Sequence, residues 1–360
     1  MNEMDIDNIR NKIIITDDRD KDDLNKYSDI ELAAVYSKNE NNYSICQHLL
    51  NKLNRKDKII NILISETIKY INSTSSVDTL KLLIIYTTDI CSSYFPWNKD
   101  PIILACRFAD YEIIKILVEN GIDINLSNPL LLVCENISRS HENETVKLLI
   151  EYGANVNVSD NTFWSSLACV CFKLNYELAK LFIEKGANVN FIRCNSKSNT
   201  ILMKLCTLRY TKDLIKLLID NGADVNIKNN KGETALSRQI MYCISYDDFE
   251  ITKLLLSKKS NINNKDGGYN TPLMMCFYYN MESSLRYDLV NLLLNNKADI
   301  YIKNKKEKNI LDIVKDKVID KYFDNHGYYD FSVYSLIFNY KNLEKDHLCE
   351  YDVIFIYCNL

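Results

Sequence analysis

The chain has 360 residues, of which 47% are hydrophobic and 26% charged, with a net charge of −4 and a pI near 5.7. The acidic balance argues against a dedicated nucleic-acid binder, whose affinity would come from clustered Lys and Arg. Eight glycines and four prolines leave no flexible interdomain linker, while the apolar fraction is ample for a buried core.

Residues 1–27 read as an acidic flexible arm. Residues 1–31 hold ten acidic and five basic side chains, including the run DDRDKDD from Asp17 to Asp23, and such a run is ordinarily solvated. This region lacks the apolar core of a secretory signal. The longest strongly apolar stretches, such as Leu80 to Tyr86, fall far short of the ~20 residues that span a bilayer. The expectation is a soluble, monomeric, cytoplasmic protein without a membrane partner.

From residue 98 a block recurs. It reads GIDIN at Gly121, GANVN at Gly153 and at Gly186, and GADVN at Gly222, each after an apolar stretch such as LLIEY or LLIDN. The glycines lie 32, 33 and 36 residues apart; fainter copies begin at Lys259 and Lys297, after steps of 37 and 38. A period in this range marks a stacked-repeat solenoid. In the unit 198–226, Thr200 opens the dense apolar run ILMKLC, a helix buried on more than one face. The polar RYTKD forms a turn, and Leu214, Leu217 and Leu218 fall at i, i+3 and i+4 of a second helix. Gly222 fits the left-handed position after that helix, and Val225 reads as a short extended piece. One such unit cannot cover its own apolar faces, so neighbours must stack.

These motifs resemble the ankyrin repeat family, and the overall plan is similar to the multi-repeat ankyrin proteins of large DNA viruses and intracellular parasites. The family's T-P-L-H-x-A opening is visible as TPLMMC at Thr271, DPIILA at Asp100 and NPLLLV at Asn128, and more weakly at Thr200 and Thr234. The resemblance implies an all-α ankyrin-repeat solenoid of about eight or nine helix-turn-helix units with short projecting loops. Residues 98–315 would form the regular array, 28–97 degenerate N-terminal units, and 316–360 a C-terminal capping or docking segment rich in aromatics. The His that usually follows Pro-Leu is absent from every unit. Glycine is lost at Lys259 and Lys297, where a left-handed backbone costs about 1 kcal/mol or more, so the last units are expected to be less regular or frayed. Extra residues near Ile137 to Asn143, Ile244 to Asp248 and Asn280 to Arg286 are expected to enter loops.

Chemistry is not legible. The four histidines are isolated, and no phosphate-binding loop or dinucleotide fingerprint occurs. Asp123, Asn155, Asn188, Asp224, Asn261 and Asp299 share one repeating slot, which points to turn hydrogen bonding rather than acid-base work. Twelve cysteines include no C-x-x-C, and Cys106, Cys134, Cys171 and Cys206 recur in phase as small core residues. The expectation is therefore no catalytic centre, no metal and no cofactor. The function implied is protein–protein scaffolding through a preformed concave surface. The alternatives are an adaptor that recruits a partner such as a ubiquitin ligase through the C-terminal segment, an enzyme seated there, or a nucleic-acid binder using Lys303 to Lys308.

Aromatic and Arg side chains dominate binding hot spots. Candidates at loop tips are Tyr94, Phe95, Trp97, Phe163, Trp164, Phe191, Arg193 and Tyr269. The family resemblance further implies hydroxylation at Asn125 and Asn226, which follow Leu117 and Asp123, and Leu218 and Asp224, in an L-x5-D-φ-N context. Gly121, Gly153, Gly186 and Gly222 are the expected structural turn residues.

Overall fold

The computed structural model describes residues 101–108, 111–126, 128–136, 140–159, 164–192, 198–243, 246–279, 281–323, 333 and 335–337. All the regular elements among them are helices: α1 (Pro101–Phe108), α2 (Tyr111–Glu119), α3 (Pro129–Asn136), α4 (Ser140–Glu151), α5 (Ser166–Phe172), α6 (Tyr176–Glu184), α7 (Ile201–Leu205), α8 (Lys212–Asp220), α9 (Ala235–Tyr242), α10 (Tyr246–Ser257), α11 (Pro272–Tyr278), α12 (Ser283–Asn295) and α13 (Ile310–Phe323). By compactness the chain divides into two units, Met1–Ser159 and Asp160–Leu360.

In the first unit α1 pairs with α2 and α3 with α4, while α1 packs on α3 and α2 on α4. The second unit repeats this plan. First helices α5, α7, α9, α11 and α13 pack one on the next; second helices α6, α8, α10 and α12 do the same. The architecture is the all-α stack of helical hairpins. The boundary expected between residues 315 and 316 falls inside α13.

The sequence writes both ends of each hairpin. Short hydroxyl or amide side chains cap the helix starts: Ser165, Thr200, Thr234 and Thr271 each accept from the backbone N–H three residues on, and Asn175 does so for α6. At the other end Gly222 donates to the Ile219 carbonyl at 3.1 Å and Ala223 to the Leu218 carbonyl at 2.9 Å, the double bond of a Schellman turn. Gly121, Gly153, Gly186 and Gly222 sit at φ of +82°, +90°, +84° and +90°. Lys259 and Lys297 adopt φ of +61° and +64° and close the same pair of bonds. The last turns are therefore intact rather than frayed.

Within each unit the core repeats hairpin by hairpin. Leu117 and Leu149 in the first unit, and Phe182, Leu218, Leu255 and Leu293 in the second, are each the third-last residue of their second helix, and all are 0% exposed. Where the family would place His, the chain has Ile103, Leu131, Met203 and Met274, all buried; apolar packing occupies that position. The buried Ser237 takes the equivalent place in α9, where its hydroxyl and N–H close a capping box with Thr234.

Two expectations are corrected. Of the extra residues, 140–143, 246–248 and 283–286 are helical rather than looped out. They lengthen the second helices to 12, 12 and 13 residues in α4, α10 and α12, against nine in α2, α6 and α8. Segments such as Ser283-Ser-Leu-Arg carry no Pro or Gly, so nothing prevents the helix from extending backwards. In the third case Arg286 fastens the longer helix, donating from Nε to the Cys276 carbonyl at 3.0 Å and from Nη2 to that of Met281 at 3.1 Å. Val225 is not extended but lies within a turn, its side chain buried.

Candidate functional site: the clamped turns and the tyrosine-bearing face

Past each second helix the repeating Asp or Asn bends the chain. Asp123, Asn155, Asn188, Asp224, Asn261 and Asp299 each accept, through Oδ1, the backbone N–H two residues on, at 2.8–3.0 Å. That is a local Asx turn. It aims the following asparagine at the neighbouring hairpin. Asn125 accepts the Asn155 N–H at 2.7 Å and donates to the Gly153 carbonyl at 3.3 Å. In the second unit Asn190 accepts from Asp224 at 2.7 Å and donates to Gly222 at 2.9 Å. Asn226 accepts from Asn261 at 2.7 Å and donates to Lys259 at 3.2 Å. Asn263 accepts from Asp299 at 2.9 Å. The Asn125, Asn190 and Asn226 clamps each couple adjacent hairpins through a planar amide that satisfies one donor and one acceptor, and Asn263 contributes its acceptor.

The connecting loops of the second unit are locked in the same way. Asn229 accepts the N–H groups of Lys231 and Glu233, Asp266 those of Gly268 and Asn270, and Asn304 those of Lys306 and Lys308. Asn229 also donates to Asn199 and to Glu233, at 2.8 Å each. Glu233 in turn holds Arg238 at 2.9 Å, with both side chains largely buried.

Beside these loops stand the ends of the first helices, and they carry tyrosines. Tyr242 and Tyr279 each lie eight residues past a capping Thr, the first at the end of α9 and the second just past the end of its packed neighbour α11, and are 51% and 40% exposed. The Arg238 guanidinium lies 5.4 Å from the Tyr242 ring centre, within cation–π range. Partial burial raises the Tyr279 phenol above its ordinary range, with further upward contributions from Glu233, Asp266 and Tyr242 and a downward one from Arg238. Tyr278, 43% exposed, accepts from Asn304 Nδ2 at 3.1 Å, which ties a helix end to the next loop. Tyr269, half exposed at φ of +62°, projects from the loop between them. These four phenols present an amphipathic surface on a rigid base. They offer aromatic ring faces and hydroxyls side by side.

Of the residues singled out in the sequence, Tyr269 belongs to this face. Trp164 is half-buried and packs edge-on against Phe172, ring centres 4.9 Å apart at 83°; it braces the start of α5. Phe191 is half-buried. Tyr94, Phe95, Trp97, Phe163 and Arg193 lie outside the described residues. The sequence reading missed Tyr242, Tyr278 and Tyr279, although the eight-residue step from Thr234 to Tyr242 and from Thr271 to Tyr279 was there to find. It also missed that Asn190 clamps as Asn125 and Asn226 do, and that Asn263 accepts from the next hairpin.

Among the described residues Cys134, Cys171, Cys206, Cys243 and Cys276 are buried in the packing. Burial pushes the thiols of Cys171, Cys206 and Cys276 up to about 12, holding them in the unreactive protonated form. Among the described residues no group of three or more His, Cys, Asp or Glu side chains is placed to hold a metal, and no helix is long and apolar enough to cross a membrane.

Hairpins of this design, stacked through asparagine-clamped turns, define the ankyrin class. Comparison with known families agrees: models described as ankyrin repeats match residues 97–126, 127–161, 167–266 and 202–304, together more than half of the chain. The chain belongs to the ankyrin repeat family. Among curated proteins it is similar to an ankyrin repeat protein of Acanthamoeba polyphaga mimivirus, 31% identical over 149 residues that make up 41% of this chain and 18% of that one. A second mimivirus ankyrin repeat protein is 32% identical over 113 residues, 28% of this chain and 20% of the relative. One from Fowlpox virus is 29% identical over 150 residues, 37% of this chain and 34% of the relative. The chain thus spans only about a fifth to a third of the length of these curated relatives.

Proposed function

We propose that the protein is a non-catalytic scaffold that binds a protein partner on the face formed by the first-helix ends and the adjoining loops. The observation that carries this reading is the placement of four tyrosines, 40–51% exposed, on a base whose loops and turns are already hydrogen-bonded. Ankyrin repeats are in general protein-interaction modules, and tyrosines supply contact area at low entropic cost because only two side-chain torsions must be fixed. A preformed surface loses little further entropy on association. The same clamps bear on modification at Asn125 and Asn226: both ends of each amide are engaged, so an enzyme acting on either side chain must first open the turn.

The test is affinity capture with the immobilised full chain and with the Tyr242→Ala/Tyr279→Ala variant, alongside thermal melts of both. The reading expects a partner retained by the parent and lost by the variant, with melting unchanged within a few degrees. Retention of the same partner by the well-folded variant would rule this face out.

A further inference from the structure

The positive charge of this acidic chain is unevenly spread. The three consecutive loop segments 227–233, 264–270 and 302–308 carry six exposed lysines, Lys228, Lys231, Lys265, Lys303, Lys305 and Lys306, and one exposed carboxylate, Glu307. The other two acidic residues there are engaged internally. Glu233 is buried against Arg238, and Asp266 accepts from Gly268 and Asn270 at 2.8 Å each.

The loop tips are joined edge to edge. The Gly267 N–H donates to the Lys231 carbonyl at 2.6 Å, and the Lys305 N–H to the Gly268 carbonyl at 3.0 Å. Glycine matters at 267 because a Cβ there would sit 3.2 Å from the Lys231 carbonyl oxygen. The tips therefore form one strip rather than three independent loops. At its middle stands Tyr269, with the ammonium groups of Lys305 and Lys265 at 5.2 and 5.9 Å from its ring centre. The ring gathers two cations from different loops.

We infer that this strip takes an extended acidic segment of a protein partner, its carboxylates meeting the lysine row gathered around Tyr269. The inference rests on the interaction face proposed above and names the chemistry of what docks there. Charge complementarity carries it: like charges held side by side on a rigid strip repel one another, and an acidic ligand relieves that repulsion along the whole row. An extended ligand fits because the charges follow successive tips instead of converging on a pocket. A nucleic acid fits less well. Its bases would have to stack on a Tyr269 ring that two ammonium groups already approach at 5.2 and 5.9 Å, and among the described tip residues there is no Arg to fork onto a phosphate or a base edge.

The probe is a fluorescein-labelled peptide of alternating Asp and Ser, titrated with the full chain and followed by anisotropy. A matching Asn–Ser peptide and a labelled oligothymidylate are run beside it. Binding of the acidic peptide is expected to weaken about tenfold as salt rises from about 50 to about 300 mM. It should weaken at least tenfold in the Lys231→Glu/Lys265→Glu/Lys305→Glu variant and about threefold in Tyr269→Ala. Should the charge-reversed variant fail to fold, the Lys→Gln triple replaces it, with the same loss expected. No binding, equal binding of the Asn–Ser peptide, indifference to the lysine substitutions, or tighter binding of the oligothymidylate would each overturn the inference. A partner whose capture depends on Tyr242 and Tyr279, in a chain that ignores the acidic peptide, would sink this inference and leave the interaction face standing.

Discussion

The hairpins that end in Gly186 and Gly222 and those that end in Lys259 and Lys297 solve one problem with different residues. All four close the same pair of turn hydrogen bonds at positive φ. A Cβ built at Gly186 or Gly222 would meet nothing within 4 Å, so a larger side chain there pays only in backbone conformation. Lysine is tolerated because the space is open, and its cost of about 1 kcal/mol is small beside what the surrounding core supplies. Those lysine-ended hairpins also carry the longer second helices, α10 and α12. Ankyrin units thus accept loss of their signature glycine where burial and the asparagine clamp are kept.

The largest effects should test whether the two kinds of hairpin are equally well packed. Leu218 and Leu255 are both 0% exposed, and each replaced by Ala should cost about 2–5 kcal/mol, read from urea midpoints. A loss at Leu255 well below that range would show the lysine-ended hairpin to be loosely held. Next comes the clamp between the two kinds. Asn226→Ala removes one donor and one acceptor that join it to Lys259 and Asn261, and should cost about 1–2 kcal/mol. Asn226→Asp, which keeps the acceptor, should cost less.

The buried thiols give a pH handle on both kinds. Cys206, in a glycine-ended hairpin, and Cys276, in a lysine-ended one, are each pushed from 9.0 to about 12 by burial. Below pH 9 the thiol is protonated in both folded and unfolded chains. Between 9 and 12 only the unfolded chain loses the proton, so stability falls as pH rises, by up to about 1.4 kcal/mol per pH unit for each thiol. Urea midpoints at pH 8 and at pH 10 should therefore diverge, and Cys206→Ala or Cys276→Ala should lessen the divergence. An unchanged pH dependence in both variants would show that these thiols are not sealed.

The smallest effect is the most diagnostic of the comparison itself. Lys259→Gly should stabilise by about 0.5–1 kcal/mol and Gly222→Ala should destabilise by about 1 kcal/mol. If the signs were equal, the turn would not be governed by backbone conformation.

What the sequence made legible was local. The capping threonines, the turn glycines and the Asp or Asn that bends each turn act within a few residues, and their spacing alone announces them. The repeat period then dictates stacking, since no hairpin can bury its own leucines. The clamp's far end was not legible: Asn190 and Asn263 look like any polar turn residue until the neighbouring backbone arrives. The extra residues near Asn280 could have looped or lengthened a helix. Only the carbonyls of Cys276 and Met281, placed to receive Arg286, settle that. The tyrosines were hidden for a related reason. Whether Tyr242 or Tyr279 is exposed depends on where the adjoining loop lies, whereas Trp164, conspicuous in the sequence, has Phe172 to lean on.

The central claim is that neighbouring hairpins are bolted together at exposed turns, which keeps the tyrosine-bearing face rigid. Native-state hydrogen exchange at the backbone amides of Asp224, Asn261 and Asp299 tests it directly. All three residues are exposed, yet each N–H is held by an asparagine of the preceding hairpin at 2.7, 2.7 and 2.9 Å. These amides should exchange far more slowly than those of other exposed turn residues, and Asn226→Ala should release Asn261 selectively. Exchange at the rate of free peptide at all three positions would contradict the account.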